Sequence, residues 1–236
     1  MVRAILEGRK TVTRRALNNQ MANGWQIVDP KHPMATITSA HPKKGKFGLL
    51  IRREIYPDSG KFEHDVIVSP FGRPGDRLWV RESWWQAGDW QSTYPEDDEG
   101  SWFGSKRVVY SADGTPPNEP NHDYPNGLRN GAYSAADPHR IWRHRPSIHM
   151  PRWACRLLLE VTDVRVERLQ DITEEQAIAE GAPMELAEVG RVRLGATATY
   201  RAGFHRLWES VNGVGSWGSN PWVWVIEFKR VEAANV

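Results

Sequence analysis

Gly8-Arg9-Lys10-Thr11-Val12-Thr13-Arg14-Arg15 is the stretch on which the reading of this chain turns. Before it, Val2 to Glu7 carries Ile5 and Leu6 and reads as a short helix, with Gly8 where a left-handed residue ends a helix at little steric cost. Within it, the β-branched Thr11, Val12 and Thr13 among Lys10 and Arg14 predict an extended segment from Lys10 to Arg15. Lys10 and Thr13 are three apart and face opposite sides of a regular strand, so they converge only if Lys10 still belongs to the turn after Gly8.

Outward from that corner, residues 18–47 are rich in Asn, Gly and Lys without periodicity and predict a long loop. Gly48 to Ile55 and Lys61 to Ser69 read as strands joined through Tyr56-Pro57-Asp58-Ser59-Gly60, a hairpin whose turn residues are Pro, Asp and Gly. Arg73-Pro74-Gly75-Asp76 is a second turn and feeds a strand from Arg77 to Glu82. Val108 to Tyr110 reads as a short strand, and the Gly and Pro residues crowded into 112–138 predict a loop. From Cys155 to Leu169, Leu157, Leu159, Val161, Val164 and Val166 stay apolar, which predicts a strand bent near Asp163. Thr173 to Gly181 follows as a helix, opened by the Thr173 and Gln176 capping box and closed by Gly181. Tyr200 to Val211 predicts a second helix with Phe204, Leu207, Trp208 and Val211 on one face, and Trp222 to Val231 a closing strand. Short strands with few helices place the chain in the mixed α+β class, as a small β-barrel with short flanking helices and long loop insertions.

The 236 residues suit one elaborated domain or two small ones. A lone cysteine, Cys155, excludes a disulfide framework and a Cys-rich zinc site, and fits a reducing cytoplasmic compartment. The longest wholly apolar run, Trp222 to Ile226, is far short of the ~20 residues a membrane-spanning helix needs. Membrane function is therefore not expected. The net charge of +2 conceals segregation: residues 1–53 hold eleven Lys or Arg against Glu7 and Asp29, while 85–105 hold only acids. Arginine supplies 23 of the 31 basic residues, and its planar fork suits phosphate oxygens and base faces.

The opening octapeptide resembles the G-x-K-T-x-T-x-R motif of the ASCH domain family. Gly75-Asp76-Arg77-Leu78-Trp79-Val80-Arg81 is similar to that family's Gly-Asp turn and following strand, and Ile172-Thr173-Glu174 with Glu180 to its later helix. Val223-Trp224-Val225-Ile226-Glu227-Phe228-Lys229 looks like its closing strand. The matches fall in family order and frame a single domain over 1–236, with 18–64, 86–138 and 184–198 as insertions. The larger ASCH-like proteins of bacteriophages and prophages are the nearest likeness. The apolar strand that usually precedes the family's first helix has no counterpart in this sequence. The resemblance implies a PUA-like β-barrel acting on RNA or modified nucleosides. For some compact bacterial members it implies an amidohydrolase that deacetylates N(4)-acetylcytidine with a Lys, a Thr and a Glu, which correspond here to Lys10, Thr13 and Glu180.

Removing an acetyl group from an exocyclic amide requires a nucleophile, a partner for the oxyanion and a proton for the leaving amine. In one version Thr13 attacks after giving its proton to neutral Lys10, whose pKa must then lie well below its free value of ~10.4. In the other, Glu180 is general base for a water, Lys10 is the cationic oxyanion partner and Thr13 hydrogen-bonds the substrate. Arg14, Arg15, Trp79, Arg81, His149 and Arg152 complete the candidate set as substrate-binding residues. His139, His144 and His149 recur among arginines without metal-ligand spacing, so a basic strip toward RNA phosphate is expected and a metal is not. Phosphate-cradling and dinucleotide fingerprints are both lacking, and no cofactor is expected. Most of the twelve Trp are expected in the core, with one or two stacking on a base. A non-catalytic RNA-binding module and a ribonuclease stand as alternatives to the amidohydrolase.

Overall fold

The computed structural model describes residues 1–18, 21, 23–38, 41–93, 100–117, 119, 141–186 and 197–231. Among them strands dominate, with three α-helices, in a β-rich α+β arrangement. They form two compact units, one made of Arg3–Leu78 with Leu159–Val231 and the other of Trp79–Leu158. His139, Arg140, most of the Gly- and Pro-rich stretch and most of the expected insertion at 184–198 lie outside the described residues.

The first unit begins with helix α1 (Val2–Leu6). Gly8 takes φ +72°, and the chain doubles back so that Lys10 N–H donates to the Ala4 carbonyl at 2.9 Å before strand β1 (Val12–Ala16) starts. β1 runs antiparallel to β13 (Trp222–Val231), pairing Thr13 with Ile226 and Arg14 with Val225. The sheet continues through β10 (Leu158–Arg168) to β6 (Arg77–Trp79), which leaves β1 as an edge strand.

Both faces of this sheet are covered within the unit. On one side Val12, Val223 and Val225 pack with Leu169, Ile172 and Ala177, and with Phe204 and Trp208. On the other, Leu17, Trp224, Ile226 and Val161 pack with Leu49 and Ile51. A strand buried on both faces reads as a near-continuous apolar run, and Val223 to Ile226 does. Leu49 and Ile51 come from a second sheet in which β4 (Phe47–Glu54) pairs with β5 (Phe62–Val68) and, along its other edge, with β2 (Gln26–Ile27) and β3 (Met34–Thr36). The expected hairpin is present, with Asp58 and Gly60 at positive φ in its turn. The loop expected over 18–47 is thus interrupted by two strands too short to show a period.

Helix α2 (Glu174–Ala179) opens as its sequence dictates: Gln176 N–H donates to Thr173 Oγ1 at 3.2 Å, and Thr173 N–H to Gln176 Oε1 at 3.0 Å. It ends at Glu180, with Gly181 at φ +73°. Helix α3 (Tyr200–Asn212), which follows the short antiparallel pair β11 (Glu185–Leu186) and β12 (Ala198–Thr199), buries Phe204 and Trp208, whereas Leu207 and Val211 from the same predicted face stay 42% and 65% exposed. Gly203 lets α3 approach closely, since a Cβ there would fall 1.8 Å from the Pro183 carbonyl oxygen.

The second unit is built on β7 (Trp84–Ser92), flanked by β8 (Gly100–Tyr110) and β9 (Trp142–Arg145). The segment 86–138, expected as an insertion with one short strand, therefore carries the long β7–β8 pair. A register shift between Gln86 and Gly88 breaks the period-two alternation that would have signalled it. Trp84 and Trp142 are buried in this unit, and so is Glu82, whose carboxylate takes paired hydrogen bonds from Arg156 at 2.8 and 2.9 Å.

Candidate active site

The turn after Gly8 and the end of α2 meet through an antiparallel bridge between Lys10 and Glu180, reinforced by Thr11 N–H donating to the Ala179 carbonyl at 2.8 Å. Lys10 Nζ donates to the Glu180 backbone carbonyl at 2.8 Å and to Glu180 Oε2 at 2.5 Å. The other carboxylate oxygen, Oε1, lies 3.4 Å from Arg14 Nη1. Arg14 Nη2 also reaches Gln176 Oε1 at 2.8 Å and Glu167 Oε2 at 3.2 Å. The side chains of Lys10, Glu180 and Arg14 are only 4%, 3% and 0% exposed. A carboxylate held by one cation on each oxygen, in a place water barely reaches, is fixed in orientation.

Burial pushes the Lys10 ammonium below its ordinary pKa of 10.5. The Glu180 carboxylate and its hydrogen bond pull the other way, and the positive charges of Arg15 and Arg14 add to the depression. Desolvation prevails. With two N–H bonds directed to the two Glu180 oxygens, Nζ keeps one tetrahedral position, a lone pair when neutral and a third donor when protonated.

A cavity of about 220 Å³ opens beside this pair. Its polar wall includes Lys10, Thr13, Arg15 and Glu180, and its apolar wall Met1, Leu207, Val211 and the buried Phe204 and Trp208. Leu207 and Val211 are exposed because they face this hollow rather than the sheet. Thr13 shares the cavity wall but not the hydrogen-bond network, which the Lys10 ammonium spends on Glu180. Thr13 and Arg14 alternate along β1, and β1 is an edge strand, so both reach the rim of one hollow.

The structure therefore brings five of the sequence-derived candidates to one cavity: Lys10, Thr13, Arg14, Arg15 and Glu180. The Arg14 guanidinium has no exposed surface and grips Glu180, Gln176 and Glu167, contacts that hold the carboxylate in place. Its spacing of four from Lys10 was the available signal, because even spacing puts extended residues on one face. Gln176 and Glu167 were not foreseen as members of the site. Trp79, Arg81, His149 and Arg152 do not line this cavity and belong to the second unit. There the Arg81 guanidinium lies 4.5 Å over the Trp79 ring and donates to the Ile148 carbonyl at 3.2 Å, with His149 and Arg152 exposed.

Among the described residues no group of three or more His, Cys, Asp or Glu is placed to hold a metal ion. No described helix is long and apolar enough to cross a membrane. No family model, no curated protein and no solved structure matches the chain.

Proposed function

We propose that this cavity hydrolyses the acetyl amide of N(4)-acetylcytidine or of a related modified nucleoside, within a PUA-like fold of the ASCH type. The observation that carries the proposal is the buried Lys10–Glu180 pair on the wall of a small cavity that Thr13 also lines. Buried titratable pairs at the wall of a hollow are a common setting for proton-transfer chemistry, and burial shifts Lys10 toward its neutral, proton-accepting form.

We assign the proton-acceptor role to Lys10 rather than Glu180 because both carboxylate oxygens of Glu180 are already engaged, Oε2 by Lys10 and Oε1 by Arg14. Neutral Lys10 takes the Thr13 hydroxyl proton as Thr13 Oγ bonds to the acetyl carbon. The resulting ammonium faces the oxyanion, then returns the proton to the exocyclic nitrogen as the C–N bond breaks. Water next attacks the acetyl ester on Thr13 while Lys10 takes its proton, Lys10 then delivers that proton to Thr13 Oγ as the ester C–O bond breaks, and acetic acid leaves and ionises to acetate. Glu180 keeps Lys10 aimed throughout.

Incubating the purified protein with N(4)-acetylcytidine and following acetate and cytidine is the direct test. Lys10→Ala lowers kcat by roughly 10²-fold or more on this mechanism, and Thr13→Val does the same while Thr13→Ser retains activity. Absence of turnover by the wild type, or undiminished turnover by a folded Lys10→Ala protein, overturns the proposal.

A second reading, a non-catalytic RNA-binding module, draws on the second unit. There Arg143 and Arg145 lie 4.7 and 5.0 Å from the Trp102 ring, a basic and aromatic pairing of the kind that takes up single-stranded RNA. Salt-dependent RNA binding with the RNA left chemically unchanged would favour it, and labelled RNA recovered uncut removes the ribonuclease alternative.

A further inference from the structure

Resting on the reading just given, we infer that the substrate of this cavity carries a phosphate ester held by Arg15, so that the protein acts on a nucleotide rather than on the neutral nucleoside. Three cationic side chains line the cavity, Lys10, Arg14 and Arg15, against a single carboxylate, Glu180. Two of the three are consumed internally: Lys10 and Arg14 are buried and bonded to Glu180.

Arg15 is different. It is exposed, it borders the cavity, and it has no acidic partner among the described residues. Several other described arginines are held by carboxylates, as Arg53 by Glu63, Arg107 by Glu119, Arg156 by Glu82 and Arg165 by Glu167, whereas Arg15 adds to its open fork a place on the cavity rim. A guanidinium left open on the rim of the hollow presents its fork to an incoming anion, and phosphate oxygens match that fork bidentately. Met1, Leu207 and Val211, which line the same cavity, offer apolar surface to a flat base and its acyl group. A phosphate at Arg15, a base on the apolar surface and, beyond the base, an acyl amide at Lys10 and Thr13 describe an N-acylated nucleotide.

Terminal phosphate and internal phosphodiester share this chemistry, and three substrates separate them: N(4)-acetylcytidine, its 5′-monophosphate, and a trinucleotide with the acetylated base at its centre. We expect kcat/KM for at least one phosphate-bearing substrate to exceed that for the nucleoside by about tenfold or more, and the better of the two identifies the source. In Arg15→Gln that ratio falls to near one, and in Arg15→Lys part of it survives as simple charge attraction. A wild-type ratio near one, or a ratio unchanged in Arg15→Gln, overturns the inference while leaving the hydrolase reading intact. If none of the three is turned over, the hydrolase reading fails, and calorimetric binding of cytidine against cytidine 5′-monophosphate decides the inference by itself. Preference for the monophosphate that disappears in Arg15→Gln supports it; equal or undetectable binding overturns it.

Discussion

Replacing Lys10 by Met asks what the buried ion pair contributes to stability. In the folded protein the Glu180 carboxylate is 3% exposed, with Lys10 Nζ at 2.5 Å on one oxygen and Arg14 Nη1 at 3.4 Å on the other. Lys10→Met strips the short contact and leaves the charge buried. Removing one partner of a buried pair costs about 3 to 5 kcal/mol, and the residual Arg14 contact places this case near about 3 kcal/mol. Glu180→Leu strands the ammonium to a similar extent, eased because Lys10 keeps the Glu180 backbone carbonyl at 2.8 Å. The double variant removes both charges together. Its main loss is one hydrogen bond to that carbonyl, worth about 1 kcal/mol, because Arg14 still holds Glu167 and Gln176. Urea unfolding of the wild type, both single variants and the double variant measures the cycle through the midpoint and slope of each transition. A double variant that loses the sum of the single losses would refute coupling between the two groups. A Lys10→Met protein within about 0.5 kcal/mol of wild type would refute burial of the pair itself.

Two further outcomes follow from the same burial and packing. Because burial lowers the Lys10 pKa in the folded state, the unfolded chain, which titrates near 10.5, binds more protons between the two values. Wild-type stability relative to Lys10→Met therefore rises with pH across that window and levels off above 10.5, and kcat/KM climbs with pH through the folded-state value; a fall in either difference over the same range contradicts the sign. Gly203→Ala would improve intrinsic helix propensity by ~1 kcal/mol in an open helix, yet its Cβ would sit 1.8 Å from the Pro183 carbonyl oxygen. We expect a net loss of roughly 2 kcal/mol, seen as a lowered Tm, and an unchanged or raised Tm would show that α3 does not make this approach.

What the sequence discloses and what it conceals divide along physical lines. The ends of α2 are legible because Thr173, Gln176 and Gly181 each perform a local task that requires that residue type. β13 is legible because a strand covered on both faces has to be apolar throughout. Concealment begins where a local pattern is broken or shared. The shift at Gly88 hides β7 and β8, and two or three residues are too few for β2 or β3 to display alternation. On α3, Leu207 and Val211 carry the same periodic mark as Phe204 and Trp208, since periodicity records hydrophobicity and cannot tell a core from the wall of an open hollow. The site was half visible: Lys10, Thr13 and Glu180 stand out as residue types, while the inward turn of Arg14 depends on where Gln176 and Glu167 arrive from distant parts of the chain.

That dependence bears on why the charges are there at all. A sheet whose faces already bury Val225, Ile226 and Trp224 has no need of an ammonium, a guanidinium and a carboxylate sealed at its edge, because apolar residues of similar volume fill such a space at equal or lower free energy. The three groups also do not neutralise one another, since two cations meet one carboxylate and Glu167 balances the second cation only from the far side of Arg14. The arrangement costs desolvation, which is what depresses the Lys10 pKa, and returns a lysine with two N–H bonds fixed on the wall of a hollow. If the double variant proves nearly as stable as the wild type yet inert toward the acetylated base, stability cannot account for the pair. Proton transfer at the free position of Nζ then accounts for both the burial and the fixed geometry.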